Sequence, residues 1–543
     1  MDVFPCGTVA VTCDIVGVLV RCVIHSSLQS PKGRAMRVLS SSMAGGVLLA
    51  QSAACSSGPA GPVDGEGGTR DPGAGTSRGG TMTGNVGLGS GGTSAGAGGG
   101  VPWTPSDSYF DGTSRLGGLP VANCTITVTL SEVSPHIPTV GIVSFASSLS
   151  GLTAAEVHFG QDTAYGLVAP VDLHQDGFRT LLLGMAENRT YHFRVAVSDG
   201  NSVCYGEDRT IETGSLNTSA LAEAWTRDGA APGFIVTARD GKVVIFNKWG
   251  ELVWAHSMWN VFSVQMSWDG QFMIGRDAGP FDSGSGGTFY RVAMDGGDMA
   301  ILDAPGGDHH DFAAIPGGIA YLAKTGEGEC DRVYVASTEI TDGVPVFDTW
   351  QIYQYFPDEG SLDGAEICHA NRIHYSRARD MYTISDRNKD SIAVFARSGT
   401  PITSIGKTPT GNWTAHIQAE GTGPGGDWHV QHGHHFYNDD KLVVFSNESR
   451  GGAAILHYTI SGNSATLDWK YGGAGPSMIQ GDVQRLPNGN FLVTANLSGT
   501  IVEVGPEGTT EVGRYVLAGP VGPLYGFTYA RHRPTLYGSP APR

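Results

Sequence analysis

Apolar and polar positions alternate over short stretches along most of this chain, and turn residues break each stretch. Runs rich in Val, Ile, Phe, Tyr and Thr end in Gly, Asp-Gly, Asn-Gly or Asn-Asp, the pattern of antiparallel strands joined by tight turns. Residues 124–130, CTITVTL, alternate strictly. In 191–197, YHFRVAV, the residues Tyr191, Phe193, Val195 and Val197 fall on one face. Such runs predict a small antiparallel sandwich over 120–214. From Gly233 a strand–turn–strand unit recurs loosely, about every 40–50 residues. It begins with GFIVTARDGKVVIFNKWGELVWAH and ends with DVQRLPNGNFLVTANLSGTIVEVGPEG. No helical period accompanies it, so propeller blades fit better than a solenoid. The expectation is an all-β chain with about six blades over 220–543. A strand from PLYGFTYARHRPTLYG would close the ring.

The start of the chain reads differently. Residues 36–55, MRVLSSSMAGGVLLAQSAAC, carry Arg37, a short apolar core and small residues before Cys55. That is an export signal, too short to span a bilayer. It is similar to a bacterial lipoprotein signal, in which Cys55 is lipidated, although Ser52 stands where such signals carry Leu. Plain secretion is the alternative. Residues 1–35 add a second apolar run, 15–20, between Asp14 and Arg21. They fit a single signal poorly and suggest that translation starts at Met36, with an uncleaved anchor as the other reading. Region 1–55 is thus the signal region and 56–119 a Gly/Ser-rich tether. Residues 56–102 are almost entirely small or polar and cannot bury enough surface to offset ordering entropy. Exported chains tolerate disulfides. Cys124 with Cys204, and Cys330 with Cys368, are the pairs considered, and all four staying free is the alternative.

Composition narrows the partners. With 80 glycines and 16% charged residues, the chain suits a turn-rich β protein. A net charge of −18 argues against a nucleic-acid partner. It leaves room for a small anionic substrate held by a local Arg/His cluster.

The candidate chemistry centres on 428–447, WHVQHGHHFYNDDKLVVFSN, where His429, His432, His434 and His435 crowd a strand entry. Propellers gather functional groups at one mouth of the channel, one or two from each blade. Groups at corresponding entries are His309-His310-Asp311, then His369, then Arg387 closing that unit's second strand, then His432. His416 and His429 read as surface or supporting residues, and Arg485 as structural, with a reach into the channel as the alternative.

Two resemblances bear on these stretches. ENRTYHFRVAVSDG resembles the end of an Ig-like or fibronectin type III module. HHDFAAIPGG, CHANRIHYSRARDMYTISDRNKDSI, VQHGHHFYNDDKLVVFSN and GDVQRLPNGNFLVTANLSGTIVEVGPEG occur in that order between 309 and 508. Together they resemble the PAPS-independent arylsulfate sulfotransferases, periplasmic six-bladed propellers with an N-terminal β-sandwich. The resemblance implies that His432 is the nucleophile, with His310 or its neighbour His309, His369 and Arg387 around the sulfuryl group. His434, His435 and Asn371 would touch substrate. It also implies a phenolic sulfate donor, a phenol acceptor, no cofactor and no metal, on an exported periplasmic or cell-surface protein. Membrane contact would come only through the lipid at Cys55. The chemistry is coherent: a neutral imidazole can carry sulfur as an N-sulfo group. Arg and His donors suit the charge that develops on oxygen. Ser446 departs from the family, which carries Asp there, and the extra histidines depart too. They keep two rivals open. One is a non-catalytic surface propeller that binds a partner. The other is a metal-dependent hydrolase using His432 and His434, expected on one strand face, with His310 and His369.

Overall fold

The computed structural model describes residues 9–16, 19–26, 110–219, 221–239, 241–258, 261–277, 287–304, 308–323, 332–337, 340–341, 344–345, 350–352, 368–407, 413–518 and 526–540. The chain is all-β: among the described residues the one helical segment is the turn Asp176–Phe178. No helix among them is long and apolar enough to cross a membrane.

Met1–Asn85 and Val86–Arg543 form separate compact units. In the first, Val9–Val16 pairs antiparallel with Leu19–Ser26, with Ile15 opposite Val20 and Asp14 opposite Arg21. The expected signal core, Cys55 and the tether up to residue 109 lie outside the described residues.

The second unit opens earlier than the tether boundary at 119 implied. Phe110 and Leu116 are buried. Ser114 Oγ donates to Glu156 Oε2 at 2.7 Å, and the Arg115 N–H donates to Glu156 Oε1 at 2.8 Å. Two apolar side chains and a buried carboxylate are enough to pin a segment whose Gly content suggested a free linker.

Two sheets follow, packed face to face. One orders Ile126–Val133, Gly141–Ser147 and Thr180–Leu182; the other orders Arg209–Glu212, Thr190–Ser198, Ala154–Gly160 and Leu167–Pro170. Tyr191, Phe193, Val195 and Val197 all face the shared core, together with Val143, Phe145, Val157 and Phe159. A disulfide joins Cys124 to Cys204. Cys368 is also disulfide-bonded, and its expected partner Cys330 lies outside the described residues. This sandwich is anchored on the rest of the unit by Thr139 Oγ1 to Val253 O at 2.7 Å and by Tyr537 Oη to Leu181 O at 2.9 Å.

The remainder is propeller-like. Successive antiparallel sheets begin with the strands Phe234–Arg239, Val261–Met266, Asp308–Ile315, Ala370–Ser376, Gln431–Tyr437 and Asp482–Arg485, and each of these first strands packs against the next. Both ends of the region are tied in. Leu221–Thr226 adds to the outer edge of the last sheet beside Glu511–Leu517, and Arg531–Arg533 adds to the inner edge of the first beside Phe234–Arg239. Ala415–Ala419 runs parallel to both Pro401–Gly406 and Ser464–Tyr471, joining two neighbouring sheets at their outer edges.

Four of the first strands are interrupted at their entry by a register shift: between Val261 and Ser263, Asp308 and Phe312, Ala370 and Arg372, and Gln431 and His434. A bulge re-aims the side chains beside it, because an extra residue breaks the two-residue alternation. These bulges lie where the candidate histidines are found.

Candidate active site

The bulges deliver three histidines to one place. His310 Nε2 and His369 Nε2 are 2.6 Å apart, their ring centroids 4.7 Å apart. The ring of His432 stands edge-on to that of His310, centroids 6.1 Å apart. His369 and His432 are buried and His310 is half-buried. Two imidazole nitrogens at hydrogen-bond distance need one proton between them, so His310 and His369 form a donor–acceptor couple able to give or take a proton. His309 precedes His310 in the same strand; its side chain lies outside the described residues.

The tautomer of His432 follows from its neighbour. Asn447 Nδ2 donates to Ser477 O at 2.8 Å and to Gln480 O at 2.7 Å. That fixes Asn447 Oδ1 toward His432 Nδ1, 2.7 Å away. An amide oxygen only accepts, so Nδ1 carries the proton and Nε2 keeps its lone pair. Burial pushes the His432 pKa down to about 3, against the Asn447 hydrogen bond; the charges of His369 and Arg387 add to the fall. The ring is therefore neutral at ordinary pH. Arg387 sits in the turn after Met381–Asp386, its N–H donating to His369 O at 2.9 Å. Asp386 accepts from the His369 N–H at 3.2 Å and from the Asn388 N–H at 3.0 Å, tying this turn to the histidine couple.

The rim stores strain. His310, Val430 and Gln480 have φ of 56°, 53° and 55°. This left-handed region is costly for a side chain with a Cβ, and most for a branched one such as Val430. The Val430 N–H is held by Asp390 Oδ1 at 2.9 Å, and the same carboxylate takes His429 Nδ1 at 3.0 Å. Gly433 is required within the bulge, since a Cβ there would lie 2.3 Å from Asp482 Oδ1.

His434, His435 and Asn371 do not join the three. The bulge overturns the expectation that His432 and His434 share a face. His434 is fully buried with Nε2 2.8 Å from Thr383 Oγ1 of the neighbouring sheet. His435 Nδ1 accepts the Arg485 N–H at 2.8 Å, and its ring lies 4.7 Å from that of His374. Asn371 Nδ2 donates to Gln431 O at 2.9 Å, a tie between adjacent strands. The metal grouping of His432 with His434 is thereby dispersed, and no group of three or more His, Cys, Asp or Glu is placed to hold a metal among the described residues.

Beneath the histidines lies a feature that sequence reading missed. Arg372 is ion-paired with Asp311 and, at 3.1 Å, with Asp482; Arg531 reaches the same two carboxylates, Asp311 at 3.3 Å. Ser263 Oγ donates to Asp311 Oδ1 at 2.8 Å. Two guanidinium groups and two carboxylates thus cancel across four separate strands. Burial works against the Arg372 charge, but Asp311 and Asp482 outweigh it and raise its pKa. Burial and the charge of Arg372 together lower that of Arg531.

Acid should loosen this region. Burial, reinforced by the charge of Arg372, also pushes the His434 pKa down to about 3 from its ordinary 6.5. Between these values the unfolded chain binds protons that folded His432 and His434 refuse. Stability should therefore fall as pH drops through this window, by about 1.4 kcal/mol per pH unit for each histidine. Denaturant midpoints measured across it should show the slope, and His434→Gln should flatten it. An unchanged slope in that variant would refute the assignment to His434.

No protein-family model matches the chain, and no curated protein matches it. Solved structures give low-scoring matches. One is a protein of unknown function from Bacteroides caccae: 13% identity, 52% of this chain and 94% of that one covered, TM-score 0.35. Another is the β-propeller domain of Cps50 (Swd1) from Myceliophteria thermophila: 12% identity, 56% and 90% covered, TM-score 0.34. A third is apo AztD from Citrobacter koseri: 11% identity, 75% and 98% covered, TM-score 0.25. At these TM-scores the matches carry no argument about the fold or the activity of this chain.

Proposed function

We propose that the protein is an exported arylsulfate sulfotransferase, moving a sulfuryl group from a phenolic sulfate to a phenol through a sulfohistidine on His432. In this reading the successive sheets are six blades, the two-sheet region before them is an Ig-like module, and Cys55 carries a lipid that tethers the protein to a membrane facing the periplasm or cell exterior. The observation that carries it is the meeting of a neutral His432, its Nε2 lone pair fixed by Asn447, with the proton-sharing couple His310–His369 and the charge of Arg387.

Each side chain has a role in that chemistry. His432 Nε2 attacks sulfur; an N–S bond forms as the S–O bond to the aryl group breaks. The leaving phenolate takes the proton held between His310 and His369. Arg387 balances the charge on the sulfuryl oxygens. In the second half the couple takes the proton of the acceptor phenol, whose oxygen attacks sulfur, and the N–S bond breaks to restore His432. His432 is acidic enough as an imidazolium to stay unprotonated, so no proton competes for the attacking lone pair.

The full-length protein incubated with p-nitrophenyl sulfate should release nitrophenol only when a phenol acceptor is added. With donor alone, peptide mass spectrometry should find a sulfonated peptide containing His432. Release without acceptor dependence and no modified peptide would remove the proposal.

A further inference from the structure

Farther along the same strands, past the Arg372–Asp311–Asp482–Arg531 network, a cavity of about 120 Å³ opens. Its wall is cationic: Arg372, Arg377, Arg531 and Arg533 line it, and no described lining residue is acidic. His435 also lines it. Because its Nδ1 accepts the Arg485 N–H, its Nε2 carries the proton and is a donor. His434 adds an independent sign. It lines the same cavity and is fully buried, and its Nδ1 has no hydrogen-bond partner. A buried polar atom without a partner is costly, so such an atom on a residue that lines a cavity points to an occupant.

We propose that this cavity binds a small tetrahedral oxyanion, sulfate or phosphate, at a site separate from His310, His369 and His432. The space has room for such an anion and its water. Chemistry selects the charge: guanidinium forks match tetrahedral oxygens, and no described residue lining the cavity is a carboxylate that would repel them. The proposal does not depend on sulfuryl transfer at His432.

Calorimetric titration of the full chain with sodium sulfate, and separately with sodium phosphate, at constant ionic strength in chloride, tests it. Wild type should show one saturable site, and the two titrations reveal which anion is preferred. Arg387→Met, which alters only the histidine end, should keep that binding. Arg377→Met, at the half-exposed edge of the cavity, should weaken it at least about tenfold, as expected for loss of a charged donor. If Arg377→Met does not fold, His374→Gln, whose ring packs on His435, should weaken it in the same direction. No saturable binding by wild type would overturn the proposal. So would binding lost in Arg387→Met but kept in Arg377→Met, since the anion would then lie at the histidines.

Discussion

His432→Ala should lower phenol-dependent sulfuryl transfer by at least about 10³-fold, some 4 kcal/mol of barrier, and abolish the sulfonated peptide. The variant should still fold, because its partner Asn447 keeps its bonds to Ser477 and Gln480. Asn447→Ala separates positioning from attack. With His432 present but its tautomer unfixed, the sulfonated peptide should still form, more slowly. Asn447→Asp should act otherwise, since a carboxylate at Nδ1 favours the protonated ring and raises the pKa of His432. Its rate should then fall on the acid side, where the wild-type rate is not limited by His432. A His432→Ala protein that still transfers sulfuryl at the wild-type rate would rule out this nucleophile.

The largest stability change is expected from Arg372→Met. Asp311 and Asp482 would be left buried with Arg531 alone, and removing one partner from a buried ion pair costs about 3–5 kcal/mol. The network is neutral only as a whole. The double variant Arg372→Met with Asp482→Asn should therefore recover part of the loss, because one carboxylate then faces one guanidinium. Chemical denaturation of the single and double variants measures both effects. A single variant as stable as wild type would mean that water or another cation already compensates Asp311 and Asp482.

Much of the scaffold was legible in the sequence because strand alternation is a local property. The stretch 191–197 buries the residues its period marks, and the turns near Gly270, Gly317 and Gly489 have the positive φ that glycine permits. The histidines were visible as candidates because His, Arg and Asp are conspicuous at the entry of apolar strands. What a local pattern does not contain is a bulge. Counting by twos from His432 reaches His434, whereas the extra residue at Gly433 sends His434 to Thr383 and leaves His435 beside His374. The ion network was missed for a different reason. Asp311, Arg372, Asp482 and Arg531 lie in four different strands, and Arg372 is separated from Asp311 by 61 residues and from Asp482 by 110. Ser446 shows the converse. Where the resembled sulfotransferases carry Asp, its hydroxyl donates to His429 O at 2.9 Å and accepts the His429 N–H at 3.0 Å.

The strand Arg531–Arg533 has a consequence in time as well as in space. A ribosome makes Asp311, Arg372 and Asp482 before it makes Arg531. Until that last strand seats beside Phe234–Arg239, two carboxylates share one guanidinium, and their mutual repulsion opposes closure of the interior. Docking of a three-residue strand therefore completes the sheet edge and discharges the interior in one event. Chains truncated before it would keep an open, hydrated centre that proteases can distinguish from the finished molecule.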